Sequence, residues 1–345
     1  MQLLSMQITI ETRHRAKHGK TTNCPQSIGN ISLRKRVLIA LLVVSCLLNV
    51  AGITFFILFL SSESHNKSLK RNFKKQLTDF EIVRAEANQA NTSAILSRRM
   101  FISQFDGIPD SFAVSPPFLL LPTRAVTLVV YLHGQNSNYF EPFETGQGKC
   151  LAETVVGREN TVLLSCNYRP PASWGNDAAI ADITQNVREM SQEYPVTKIV
   201  LMGTSMGGSI APTYASIAPP DIKEKIVGVV SVEGAGNLAN LFNQTTMQSV
   251  KTAMITTFGG TPETQPLAYA TRSFLTHIDQ LPKGVRFAVV SASKDKVVPP
   301  PLQREMVDAL EKANIIHKLI EVDKHHEPPP IDVYSQALDF VLARS

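Results

Sequence analysis

The sequence predicts an α/β domain with a mainly parallel central sheet and helices on both faces, preceded by one N-terminal transmembrane helix. Three observations predict it. From about residue 125 onward, short β-branched runs alternate with helical periods, the pattern of parallel strands joined by crossover helices. The apolar run Thr197-Lys198-Ile199-Val200-Leu201-Met202 passes through Gly203-Thr204-Ser205-Met206-Gly207 into the small-residue stretch Gly208-Ser209-Ile210-Ala211, which reads as strand, sharp turn and helix. Val37 to Leu60 is a charge-free, predominantly apolar run of 24 residues.

The N-terminal part divides into a basic polar leader (1–36), the anchor (37–60) and a polar juxtamembrane linker or helix (61–99) with scattered apolar positions such as Phe73, Leu77 and Phe80. At about 1.5 Å per residue the apolar run spans roughly 36 Å, enough for a bilayer core. A cleavable signal peptide would have a shorter core ending in small residues, whereas Phe55-Phe56-Ile57-Leu58-Phe59-Leu60 runs into Ser61-Ser62-Glu63. Flanking Lys and Arg are equal in number on the two sides, but Arg34-Lys35-Arg36 abut the run. That leans toward a single pass with the N-terminus inside and the catalytic part extracytoplasmic. The lipid bilayer is thus an expected partner.

Of the chain's 34 Lys/Arg and 29 Asp/Glu, residues 1–75 hold twelve and two, so everything beyond them is net acidic. An acidic domain without a basic stripe excludes nucleic acid as a partner. Lys70-Arg71 and Lys74-Lys75 suit either anionic headgroups or a solvated stalk.

In a G-x-S-x-G elbow the serine is held in a strained backbone conformation, and its glycine neighbours are needed because a Cβ would collide with an adjoining strand or helix. Ser205 Oγ is thereby presented at a helix N-terminus, where N–H groups favour negative charge. Five residues alone could be an ordinary glycine-rich turn. Their company decides otherwise. Upstream, Thr127-Leu128-Val129-Val130-Tyr131-Leu132 reads as a buried strand ending in His133-Gly134-Gln135. Gln135, after that strand, and Met206, after the nucleophile, are the matching backbone donors for an oxyanion hole. Downstream, the β-rich run Val285 to Ser291 leads to Asp295-Lys296-Val297-Val298-Pro299, and a helix (301–313) and strand (317–322) lead to Lys324-His325-His326-Glu327. The order Ser, Asp, His, each at a strand end, is that of a serine-hydrolase triad.

From about residue 125 to the C-terminus the chain resembles the α/β-hydrolase superfamily. Asn167-Tyr168-Arg169, Gly203-x-Ser205-x-Gly207-Gly208 and Asp295-Lys296-Val297-Val298-Pro299 look like the catalytic domain of prolyl-oligopeptidase-type serine peptidases and related esterases. The resemblance implies an α/β-hydrolase fold over residues 100–345 and a triad of Ser205, Asp295 and His326. Asp323-Lys324-His325-His326 departs from the family's usual approach to the histidine, so His325 stays as the alternative base. His326 is favoured because four residues after Val322 is nearer the usual distance. Glu233, just past the strand 226–232, is the alternative acid, since some hydrolases carry their carboxylate there.

The remaining elements follow from pattern. Ile180, Ile183, Val187, Met190 and Tyr194 recur at spacings of three and four after the cap candidates Asn176 and Asp177, which predicts an amphipathic core helix. Pro212 lies beyond the first turn of the post-nucleophile helix and is expected to kink it or shift its start. The resemblance implies that about residues 233–282, rich in Thr, Asn, Gln and Gly, form a cap over the site. Trp174, the only tryptophan, either lines a substrate pocket or anchors its loop. Cys150 and Cys166 lack metal-ligand spacing and read as core thiols, with a disulfide as the alternative outside the cytosol. The expected function is cleavage of carboxylic esters in a small-molecule or peptide acyl substrate, with no metal or organic cofactor. The alternatives are a prolyl-oligopeptidase-type peptidase and a non-enzymatic binding protein on the same fold.

Overall fold

The computed structural model describes residues 96–116, 124–144 and 150–343. The leader, the apolar run 37–60 and nearly all of the linker lie outside the described residues. Among the described residues no helix is long and apolar enough to cross a membrane.

Among the described residues eight strands form one sheet: β1 (Ser97–Ile102), β2 (Pro109–Ser115), β3 (Val126–Leu132), β4 (Thr161–Cys166), β5 (Val196–Thr204), β6 (Ile226–Val232), β7 (Arg286–Ala292) and β8 (Ile316–Val322). Their order is β1-β2-β4-β3-β5-β6-β7-β8. The β1–β2 and β2–β4 pairs are antiparallel, and every pair from β4 to β8 is parallel. β1 and β2 form the antiparallel edge of the sheet, β1 beginning at Ser97, just ahead of the domain start expected at 100.

Helices cover both faces because the central strands are apolar on both sides, as parallel strands must be. On β3, Leu128, Val130 and Leu132 join one core while Val129 and Tyr131 join the other. The first core is sealed by α2 (Asp177–Glu193), α3 (Met206–Ile217) and α8 (Pro300–Lys312), the second by α1 (Leu151–Val156) and α9 (Ile331–Leu342). Each fully buried Leu, Val or Ile contributes about 1.5–3 kcal/mol relative to exposure. A short helix α4 (Pro220–Lys223) leads into β6. The segment expected to be a cap holds α5 (Leu238–Gln244), α6 (Gln248–Phe258) and α7 (Pro266–Thr271), whose Leu241, Met254 and Tyr269 join the first core.

Helix α2 is capped by Asn176, whose side chain accepts the Ala179 N–H at 2.9 Å. Ile183, Val187 and Met190 are fully buried. Pro212 does not shift the start of its helix. Helix α3 starts at Met206 and runs continuously through it. Proline removes the N–H that would bond the Gly208 carbonyl four residues back, and the Ser231 hydroxyl donates to that carbonyl instead, at 2.8 Å. The lost backbone bond is thus supplied from β6. Cys150 and Cys166 are separate buried thiols on opposite faces of the sheet, and burial pushes the Cys166 thiol up to about 12.

Candidate active site

Strand β5 ends at Thr204 and α3 begins at Met206, so Ser205 alone makes the turn, with φ +55° and ψ −113°. A non-glycine residue in that region costs about 1–3 kcal/mol. The chain is held there by the Ser205 N–H donating to Val232 O at 2.8 Å. A Cβ on Gly207 would lie 2.0 Å from the carbonyl oxygen of Leu132, so only glycine lets α3 pass this close to β3. As the first residue of α3, Met206 has an N–H with no intrahelical acceptor.

Two strand-end loops deliver the partners. His326, in the loop after β8, places Nε2 2.8 Å from Ser205 Oγ and Nδ1 2.7 Å from Asp295 Oδ2. Asp295, after β7, is fixed because its Oδ1 accepts the N–H groups of Val297 and Val298 at 2.7 and 2.9 Å. Its carboxyl is fully buried, while the His326 side chain remains 19% exposed. His325 is not part of this relay. It is exposed, and its Nδ1 lies 3.2 Å from the Lys294 carbonyl oxygen.

Glu233 converges on the same imidazole. It follows β6 with φ +51°, is buried, and places Oε2 3.3 Å from His326 Nδ1, while neither of its oxygens has a hydrogen-bond partner. Of the two carboxyls, Asp295 is the nearer and the one anchored by backbone donors. Burial first, then the Asp295 and Glu327 charges, push the Glu233 carboxyl up to about 9. Glu233 is therefore a neutral acid at pH 7. Donor atoms of Glu233, Asp295 and His326 lie within 4.8 Å of one another. The 2.7 Å between Nδ1 and Oδ2 is nevertheless a hydrogen bond. Two ligands about 2.1 Å from one metal ion sit roughly 3 Å apart or more, so the His326–Asp295 contact has the spacing of a hydrogen bond rather than of two ligands on one ion.

A native proton on Glu233 that the unfolded chain releases makes stability fall as pH rises from the ordinary value of 4.5 through about 9. Glu233→Gln removes that dependence. In urea unfolding at pH 5 and pH 8, the variant gains on the wild type by about 1 kcal/mol per pH unit; a gain independent of pH contradicts the neutral assignment.

The loop after β3 faces the elbow. His133 is buried with Nδ1 2.7 Å from Gly134 O and Nε2 2.8 Å from Asn167 O, and its ring stacks on Tyr168. Burial lowers its pKa against the pull of those carbonyls. It pins the loop rather than reaching Ser205. Glu141, for which the sequence carried no signal, accepts the Gly134 N–H at 2.9 Å and the Tyr131 hydroxyl at 2.6 Å. Thr204, next to Ser205, joins Tyr131 at 3.0 Å to Tyr334 at 3.2 Å. Tyr131, Glu141 and Tyr334 also line a cavity of about 610 Å³ with Leu151, Glu327 and Pro329. It borders the loop that carries His326.

Asn167-Tyr168-Arg169 lies on the scaffold. Asn167 donates to Asp110 at 2.7 Å, Arg169 pairs with Asp106 at 2.7 Å and Asp182 at 3.1 Å, and the Tyr168 hydroxyl donates to the His133 carbonyl. These bonds tie β4 to the β1–β2 hairpin and α2. Burial pushes Asp110 up to about 6, against the Asn167 hydrogen bond.

A family model described as BD-FAE matches residues 121–310. No curated protein matches the sequence significantly. Among solved structures, puromycin hydrolase superposes with a TM-score of 0.57 at 16% identity, covering 71% of this chain and 38% of that one. A puromycin-hydrolyzing peptidase of Mycobacterium tuberculosis gives 0.56 at 17% identity, covering 72% and 39%. The fluorophosphonate-binding serine hydrolase FphF of Staphylococcus aureus gives 0.55 at 14% identity, covering 71% and 95%. The chain thus spans well under half of the first two and nearly all of the third. At these identities the likeness is one of fold.

Proposed function

The chain belongs to the BD-FAE family, an α/β-hydrolase-type family, and on that premise we propose that it is a membrane-anchored serine hydrolase cleaving carboxylic esters. The observation that carries the reading is the hydrogen-bonded relay from Ser205 through His326 to Asp295. A hydroxyl is a poor nucleophile near neutral pH, so His326 Nε2 takes the Ser205 proton as Oγ bonds to the acyl carbon. Asp295 keeps the Nδ1–H tautomer and stabilises the imidazolium. The carbonyl oxygen becomes an oxyanion held by the N–H groups of Gln135 and Met206, each worth roughly 3 kcal/mol of barrier. Collapse expels the leaving group, which takes the proton from His326. Water then attacks the acyl-enzyme with His326 again as base, releasing the acid. This sequence requires neither metal nor organic cofactor.

Ester rather than peptide cleavage is favoured by what the family-like segments do in this fold. Arg169 and Asn167 are committed to Asp106, Asp182 and Asp110. The second glycine after the elbow, Gly208, is required by packing, because a Cβ there would lie 2.5 Å from Val232 O. The anchor rests on the apolar run 37–60, and an extracytoplasmic catalytic part on the three basic residues that precede it.

One experiment tests class and placement together. Full-length chain in membranes is treated with a fluorophosphonate probe and extracted with alkaline carbonate, then assayed on aryl esters beside aminoacyl aryl amides. The expected result is Ser205 labelling, retention in the membrane pellet and turnover of the esters. Inertness to the probe supports a non-enzymatic binding protein, preference for amides supports a peptidase, and release of intact labelled chain removes the anchor.

A further inference from the structure

Trp174 lies in the loop between β4 and α2, buried, with φ +45° in the left-handed region that tryptophan rarely adopts. Its two N–H groups have separate destinations. The indole Nε1–H donates to Gln135 Oε1 at 2.9 Å, and the backbone N–H donates to Met206 Sδ at 3.3 Å. Gln135 and Met206 are the two residues read above as oxyanion donors. The same loop takes hold of the next residue, since the Asn136 N–H donates to Pro171 O at 2.8 Å. The Gln135 amide in turn donates to Ser249 O, in the first turn of α6, at 3.5 Å.

We propose that Trp174 is a positioning residue for the oxyanion hole, holding the side chains of both donor residues so that their backbone N–H groups converge on one point. The inference rests on Ser205 being the nucleophile. A core anchor would need only the apolar bulk of the indole. Here a strained backbone aims the ring N–H at the loop after β3 and the main-chain N–H at the first residue of α3. Because an oxyanion donor acts on the transition state and not on the bound ester, loosening Gln135 lowers kcat and leaves KM in place.

The test is Trp174→Phe, which keeps ring packing and deletes the indole N–H, together with Gln135→Met, which keeps length and deletes the acceptor. Both are measured in the full chain with active sites counted by fluorophosphonate titration. The expected result is a fall of about tenfold in kcat per titrated site for either variant, a fraction of what losing a whole donor costs, with KM within about twofold. Affinity for a boronic acid, which mimics the tetrahedral oxyanion, falls by the same factor. The double variant is no worse than Gln135→Met alone, because the bond that Trp174→Phe breaks is one that Gln135→Met already removes, along with the bond to Ser249 O. Unchanged kcat per site with a lowered Tm overturns the proposal and leaves Trp174 a core anchor, as does a double variant whose losses multiply. If Trp174→Phe does not fold, Gln135→Met alone carries the same expectation. A wild-type chain that neither reacts with the titrant nor turns over refutes the hydrolase reading itself; normal wild-type turnover with unaffected variants refutes only the role of Trp174.

Discussion

Replacing His326 by alanine is expected to lower kcat by about a million-fold, to the level of Ser205→Ala, while His325→Ala changes turnover by less than about tenfold. The two imidazoles differ in what they touch. His326 bridges Ser205 Oγ at 2.8 Å and Asp295 Oδ2 at 2.7 Å, whereas His325 is exposed beside the Lys294 carbonyl. They diverge because the chain turns sharply past β8, with the Glu327 N–H donating to the His325 carbonyl at 2.9 Å. Nucleophile and base act as a unit, so the Ser205→Ala, His326→Ala double variant is expected to be no slower than either single one. The check is steady-state turnover of an aryl ester by titrated, folded variants. Loss of activity in His325→Ala with retention in His326→Ala moves the base to His325. Retention in both removes the imidazole from the mechanism.

What could be read from residues alone follows from the range of the forces involved. The elbow was legible because its steric demands fall within five residues, where Gly207 must admit the Leu132 carbonyl. Helix α2 was legible because one apolar stripe and one cap residue suffice to specify it. Asp295 and His326 could be placed at strand ends by order, although their mutual distance could not. The sequence was silent where bonds join distant residues of unremarkable type. Glu141 gripping Gly134, Thr204 between Tyr131 and Tyr334, and Ser231 supplying the bond that Pro212 omits have no periodicity behind them. Pro212 shows the same limit: the carbonyl it leaves without an intrahelical donor is met by a hydroxyl on another strand. Trp174 was left between pocket and core because side-chain donors acquire meaning only from their acceptors.

The acid of the relay is decided by a second pair of substitutions. Asp295→Asn is expected to lower kcat by about ten-thousand-fold, the magnitude seen when the acid of a triad becomes an amide. Asparagine keeps an oxygen for the Val297 and Val298 N–H groups, which hold Asp295 Oδ1 at 2.7 and 2.9 Å, so the loop persists. Its NH2 then faces His326 Nδ1. An amide donor there selects the tautomer with the proton on Nε2, which donates to Ser205 and cannot accept its proton. Glu233→Gln is expected to change kcat by less than about tenfold, because burial already keeps this carboxyl neutral and glutamine preserves its shape. The contrast follows from unequal support. Asp295 has two backbone donors and the shorter contact, at 2.7 Å, whereas Glu233 stands at 3.3 Å with no hydrogen-bond partner for either oxygen. A charge on Glu233 would be buried without donors, which is costly. Asp295 is thus the carboxyl whose surroundings supply hydrogen-bond donors, and Glu233 the one whose surroundings do not. The opposite outcome, collapse in Glu233→Gln with persistence in Asp295→Asn, transfers the acid to the end of β6. Equal collapse in both makes the two carboxyls a single coupled unit around His326.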